Sequence, residues 1–140
     1  MKRLLLFAMI AELSLTSVQA QSFLEEVKSE PNPGKRVEIA LDFAGKSLDD
    51  ARADYLNGKT EQGNQLLSQI DQLVEECLSS VQEAHKHKYW KRAEMAVSAL
   101  SRRVDSLLDD ISWDQRDRAR ELRAQLENIH DKLLAGVMAK

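Results

Sequence analysis

An all-α fold is predicted by three features of the chain. Apolar residues recur at helical spacing in four separate stretches. The composition favours helix over sheet, with abundant Leu, Ala, Glu, Arg and Gln, five glycines and two prolines. The chain also echoes itself: residues 35–81 laid on 91–137, a shift of 56, give ten identities in 47 ungapped positions. Self-similarity at a fixed offset is the mark of a repeated structural unit. Six of those identities are polar or charged, among them Arg36/Arg92, Glu38/Glu94 and Asp49/Asp105. Two heptad-patterned helices in phase would match mainly at apolar positions. The expected unit is therefore a helical hairpin used twice.

Residues 1–20 carry the plan of an export signal. Lys2 and Arg3 precede an unbroken apolar run, Leu4–Ala11, and Val18-Gln19-Ala20 offers a cleavage site. Glu12 departs from the plan. The run is too short to span a bilayer, and no other candidate span follows in the mature chain. The expected location is periplasmic or secreted. Cleavage would leave a net charge of −4. That surplus argues against nucleic-acid binding, which needs a basic face to displace counterions. Cys77 is the one cysteine, so no internal disulfide can form. Its place on an apolar stripe suggests a small buried hydrophobe, with pairing between chains as the sharper alternative.

Residues 21–34 read as leader and linker. Phe23, Leu24 and Val27 share a face, as either a flexible leader or a single turn laid on the bundle. Pro31-Asn32-Pro33-Gly34 is expected to interrupt regular structure. The bundle is expected over 35–137. Val37, Leu41, Ala44, Leu48, Ala51 and Tyr55 form the first stripe, at steps of 4, 3, 4, 3, 4. Asn57-Gly58 ends it, and Thr60 is the expected cap of the next helix. The second stripe is Leu66, Ile70, Leu73, Val74, Cys77, Leu78 and Val81. The third, expected from about Tyr89 to Asp110, is Ala93, Val97, Leu100, Val104, Leu107 and Ile111. Ser112-Trp113-Asp114-Gln115 fits a capping box ahead of the fourth, which carries Ala119, Leu122, Leu126, Ile129, Leu133 and Val137.

No glycine or proline marks the second connection. The second and third stripes are out of step by two residues, about 200° around a helix. A turn at His85-Lys86-His87-Lys88 reconciles them. The alternative, one helix from about 61 to 110, would favour a dimer or a rod. Short connections force antiparallel neighbours. The predicted architecture is an up-down-up-down four-helix bundle or two stacked helical hairpins. Narrow, alanine-rich seams bury modest area, which suggests moderate stability and a partner covering one side.

Candidate chemistry is sparse. His85-x-His87 could chelate from a loop, but ordinary sites need three or four ligands. Glu127-x-x-His130 resembles the signature of di-iron carboxylate bundles. Such sites need a second copy of the motif, and the echoed positions hold Asp71 and Val74. Lys86, Lys88, Tyr89, Trp90, Lys91 and Arg92 interleave cations with aromatics and could meet an anionic surface. The plainer reading has Tyr89 and Trp90 closing one end of the core and Trp113 the other. Asp49-Asp50, Glu75-Glu76 and Asp109-Asp110 are adjacent pairs, which point apart on a helix and so do not converge for acid–base work. Tyr55-Leu56-Asn57-Gly58 is similar to the turn of tetratricopeptide hairpins, although the offset of 56 exceeds that family's period.

The function these features favour is an exported, non-enzymatic helical bundle. It would act through a protein partner or a second copy of itself, without cofactor. The alternatives are a metal-binding or small catalytic bundle, and a binder of anionic envelope surfaces.

Overall fold

The computed structural model describes residues 23–139, and all regular structure among them is helical. The expected export segment, 1–20, lies outside the described residues. Five helices pack together: α1 over 23–29, α2 Pro33–Leu56, α3 Thr60–Ala84, α4 His87–Asp110 and α5 Asp117–Met138, with a 3-10 turn at Trp113–Gln115 between α4 and α5. The most extensive contacts join α2 to α3 and α4 to α5. The two pairs then meet through α3 on α5 and α2 on α4.

The four stripes form the core. Every residue of the first three is buried, as are Ala119, Leu122, Leu126, Ile129 and Leu133 of the fourth. Val137 is only half-buried near the chain's end. Burial repeats at the offset of 56. Val37 and Ala93, Leu48 and Val104, Tyr55 and Ile111, Ile70 and Leu126, and Cys77 and Leu133 are buried alike. The copies part where α3 has Leu67 and Val74, both fully buried, and α5 has half-buried Arg123 and His130.

Cross-helix bonds record which ends meet. Arg36, near the start of α2, donates from Nε to Ser80 Oγ at 3.1 Å and also pairs with Glu83, both late in α3. At the other end of α2, Tyr55 hydrogen-bonds Asn64, early in α3. Along α2 and α4 the pairs are Glu38–Arg92, Asp49–Arg103 and Arg52–Asp110. Between α4 and α5 they are Asp105–Arg123 and Glu94–His130.

Several boundaries differ from the sequence reading. α2 begins at Pro33, inside the expected linker, because proline at the first helical position loses no intrahelical bond. Asn32 Oδ1 accepts from the Gly34 and Lys35 amides and caps it. The leader is laid on the bundle: Val27 is fully buried, and Phe23 stacks on Phe43 at 4.4 Å between ring centroids. Thr60 does not cap α3; its hydroxyl accepts instead from Gln115 Nε2 at 2.9 Å. The α3–α4 connection is shorter than expected, with α4 starting at His87 rather than Tyr89. His85 makes the turn in the left-handed region at φ 52°, a role usually left to glycine. The reading of one continuous helix over 61–110 is thereby overturned.

Candidate functional site

Helical glycines decide where the aromatic rings lie. A Cβ added at Gly63 would stand 2.8 Å from the buried ring of Tyr55. One at Gly34 would overlap Tyr89, and one at Gly136 would overlap the indole of Trp90. All three rings rest where a neighbouring helix has no side chain, so they come close to its backbone. Tyr89 and Trp90 are thus half-buried and pack against the core.

Trp113 has no such seat. It was expected to close the opposite end of the core, and instead it is 74% exposed. The guanidinium of Arg116 lies 5.6 Å from its ring centroid and that of Arg120 lies 4.9 Å away. Leu56, at the end of α2, is 56% exposed. Gln115 brings the two to the same end of the molecule. Its Oε1 accepts from the Ser112 amide at 3.1 Å, which is the expected capping contact. Its Nε2 donates to the Tyr55 carbonyl at 3.1 Å and to Thr60 Oγ1. One side chain therefore ties the α4–α5 connection to the α2–α3 turn. The local sequence indicated the first role only, because the partners of the second lie more than fifty residues away.

The other candidates are dispersed. Lys86, Lys88 and Lys91 are exposed at the α3–α4 end, with Lys88 over the Tyr89 ring at 5.0 Å. Arg92, from the same run, is held by both carboxylate oxygens of Glu38. His85 and His87 are exposed in and just after the turn. His130 belongs elsewhere, its Nε2 2.8 Å from Glu94 Oε1. Glu127 does not join it, but pairs with Arg123 at 2.8 Å. Among the described residues no group of three or more His, Cys, Asp or Glu side chains is placed to hold a metal ion. No described helix is long and apolar enough to cross a membrane. Of the acidic pairs, Asp49 and Asp110 are taken by arginines, and Glu75 accepts from Gln125.

Cys77 is buried, and burial pushes its thiol up to about 12. A thiol so far from its thiolate is a poor nucleophile and a poor metal ligand. Two clefts remain. One, about 750 Å³, runs between α2 and α4 over Ile39, Leu41, Gly45 and Ala96. The Glu38–Arg92 and Asp49–Arg103 pairs line it, so its walls are already neutralised. The other, about 470 Å³, lies beside α4 and α5 and is lined by Arg102, Arg123, Glu127, His130 and Asp131. Arg123 and His130 there are spent on pairs with α4, and Glu127 on Arg123 of its own helix. No protein-family model, no curated protein and no solved structure matches the chain.

Proposed function

We propose that this chain is an exported, non-enzymatic bundle whose four long helices run alternately up and down. It acts by contact with another protein, through the end that carries Leu56 and Trp113. The export pattern of residues 1–20 supports the location, periplasmic or secreted. The alternating direction is supported by the ends that meet: Arg36 with Ser80 and Glu83, Tyr55 with Asn64, and Glu94 with His130.

The observation that carries the reading is the exposure of Trp113. Tryptophan and arginine are among the residues most enriched at the energetic centres of protein interfaces. A bundle that seats its other indole on glycine, yet leaves this one in water, gains nothing in its own fold from that exposure. Many of the titratable groups elsewhere are paired with one another, across helix seams or within one helix.

A photo-reactive residue placed at position 56 in the mature chain tests the reading in its native envelope. A discrete adduct with one protein, or with a second copy, is expected from position 56 and not from position 88. Its yield should fall in a Trp113→Ala variant. Equal labelling from both positions, or adducts untouched by Trp113→Ala, would overturn it.

A further inference from the structure

The geometry points to an acidic protein segment, bearing an apolar side chain beside its carboxylate, as the occupant of the Trp113 end. This inference rests on the reading above and gives the partner its chemistry.

Two arginines, Arg116 and Arg120, flank Trp113. Both guanidiniums lie over the Trp113 ring, at 5.6 Å for Arg116 and 4.9 Å for Arg120. Arg116 has no ion pair among the described residues, and its Nε is shut off from water without an acceptor. Arg120 has one carboxylate neighbour, Asp117, at 3.5 Å, and that side chain is 91% exposed. An ion pair so open contributes little, so Arg120 loses little by changing partner. A carboxylate from outside would give Arg120, which is exposed, and the part of Arg116 that water reaches a partner in the strong charge-assisted geometry. Beside it, the uncovered part of the indole and Leu56 offer apolar surface at the same end. One ligand group of each kind satisfies both halves of the site.

The surrounding charges select among anions. Asp114 and Asp117 are exposed next to Trp113 and Arg116. A bilayer of anionic headgroups or a dense polyanion would bring many charges against those two carboxylates. A single carboxylate on a peptide can approach the arginines and avoid them. The lysines suited to a diffuse anionic surface, Lys86, Lys88 and Lys91, lie at the α3–α4 turn, away from Trp113.

The test uses the full mature chain and follows tryptophan emission, with a Trp113→Phe variant to isolate the signal of Trp113. The probes are a soluble peptide alternating glutamate with leucine, a lysine–leucine counterpart, a glutamate–serine counterpart, and phosphatidylglycerol vesicles. Saturable blue-shifted emission is expected with the glutamate–leucine peptide alone. Arg116→Gln should weaken it about tenfold, the scale of one charge-assisted bond. Arg116→Lys, which keeps charge and loses the fork, should weaken it less, and Lys88→Gln should leave it unchanged. No saturable shift, equal binding of the lysine–leucine peptide, or a response to vesicles alone would overturn the inference. If Trp113→Ala still abolishes the adduct at position 56 while the peptide fails to bind, the contact end stands and its acidic partner falls. If the adduct survives Trp113→Ala, the contact end itself falls.

Discussion

Trp90 and Trp113 are the two indoles of this protein, and they mark its two ends under opposite rules. Trp90 rests against Gly136, whose missing side chain lets the ring lie close to the helix backbone. Trp113 stands on a 3-10 turn, has two arginines for neighbours, and faces water. Both occur in polar, charged surroundings in the sequence, so local composition does not separate them. What separates them is whether the opposing helix supplies a gap. Burial of an aromatic in a narrow bundle is thus a property of two positions, and only one of them is the aromatic.

The largest effect expected from breaking this contrast is Trp90→Ala. Truncating a packed tryptophan costs about 3–5 kcal/mol in a full core. Trp90 is only half-buried, so about 2–3 kcal/mol is expected. Denaturant midpoints at constant slope measure it. A loss below about 0.5 kcal/mol, the range of ordinary surface changes, would show that the Gly136 seat does not hold the ring.

Filling a seat is the reciprocal experiment, and Gly63 is the place for it. Alanine there gains about 0.5–1 kcal/mol of helix propensity. It also drives a methyl to 2.8 Å from Tyr55, a ring that is 2% exposed and hydrogen-bonded to Asn64. Overpacking of this kind costs about 1–3 kcal/mol, so a net loss of about 1–2 kcal/mol is expected. Stabilisation on thermal unfolding would mean that Tyr55 moves aside freely.

These contrasts show what could be read from sequence and what could not. The stripes were legible because a 3.6-residue period survives any tertiary arrangement: Val37 to Tyr55 and Ala93 to Ile111 are buried as spaced. The turn at His85 was legible from a phase break, with no glycine to announce it. The start of α2 is hidden from the sequence because proline most often breaks a helix, while at a first helical position, as at Pro33, it starts one. Thr60 was misread because its hydroxyl had a better offer from Gln115. Trp113 was misread because nothing nearby in sequence states that its opposing surface lacks a seat. Arg36 was missed altogether, though it joins the Glu30 carbonyl, Ser80 and Glu83. Among the described residues its echo Arg92 pairs with Glu38 alone, so even a repeated residue can acquire different work.

Alkaline pH should sense the seated ring without any substitution. Burial raises the Tyr55 phenol above its usual value, and burial raises the Cys77 thiol to about 12. Both groups are neutral when protonated, and the unfolded chain releases their protons sooner, near pH 8.5 for cysteine and 10 for tyrosine. The stability they contribute is therefore intact below about pH 8.5 and drains away as pH rises toward about 12. The melting temperature should fall through that window. In a Cys77→Ala variant the decline should begin later, above about pH 10, where Tyr55 acts alone. A melting temperature flat from pH 8 to 11 would contradict the burial of both groups.

The smallest expected effect belongs to Trp113→Ala, and its smallness is the point. The ring lends its faces to Arg116 and Arg120, contacts worth about 0.5–1 kcal/mol at exposed sites. The indole meets water in the folded and the unfolded chain alike, so its removal forfeits little burial. A net change within about 0.5 kcal/mol is expected, several-fold below Trp90→Ala measured side by side. A loss as large as that of Trp90→Ala would make Trp113 a structural residue after all, and its exposure would no longer single out this end for a partner.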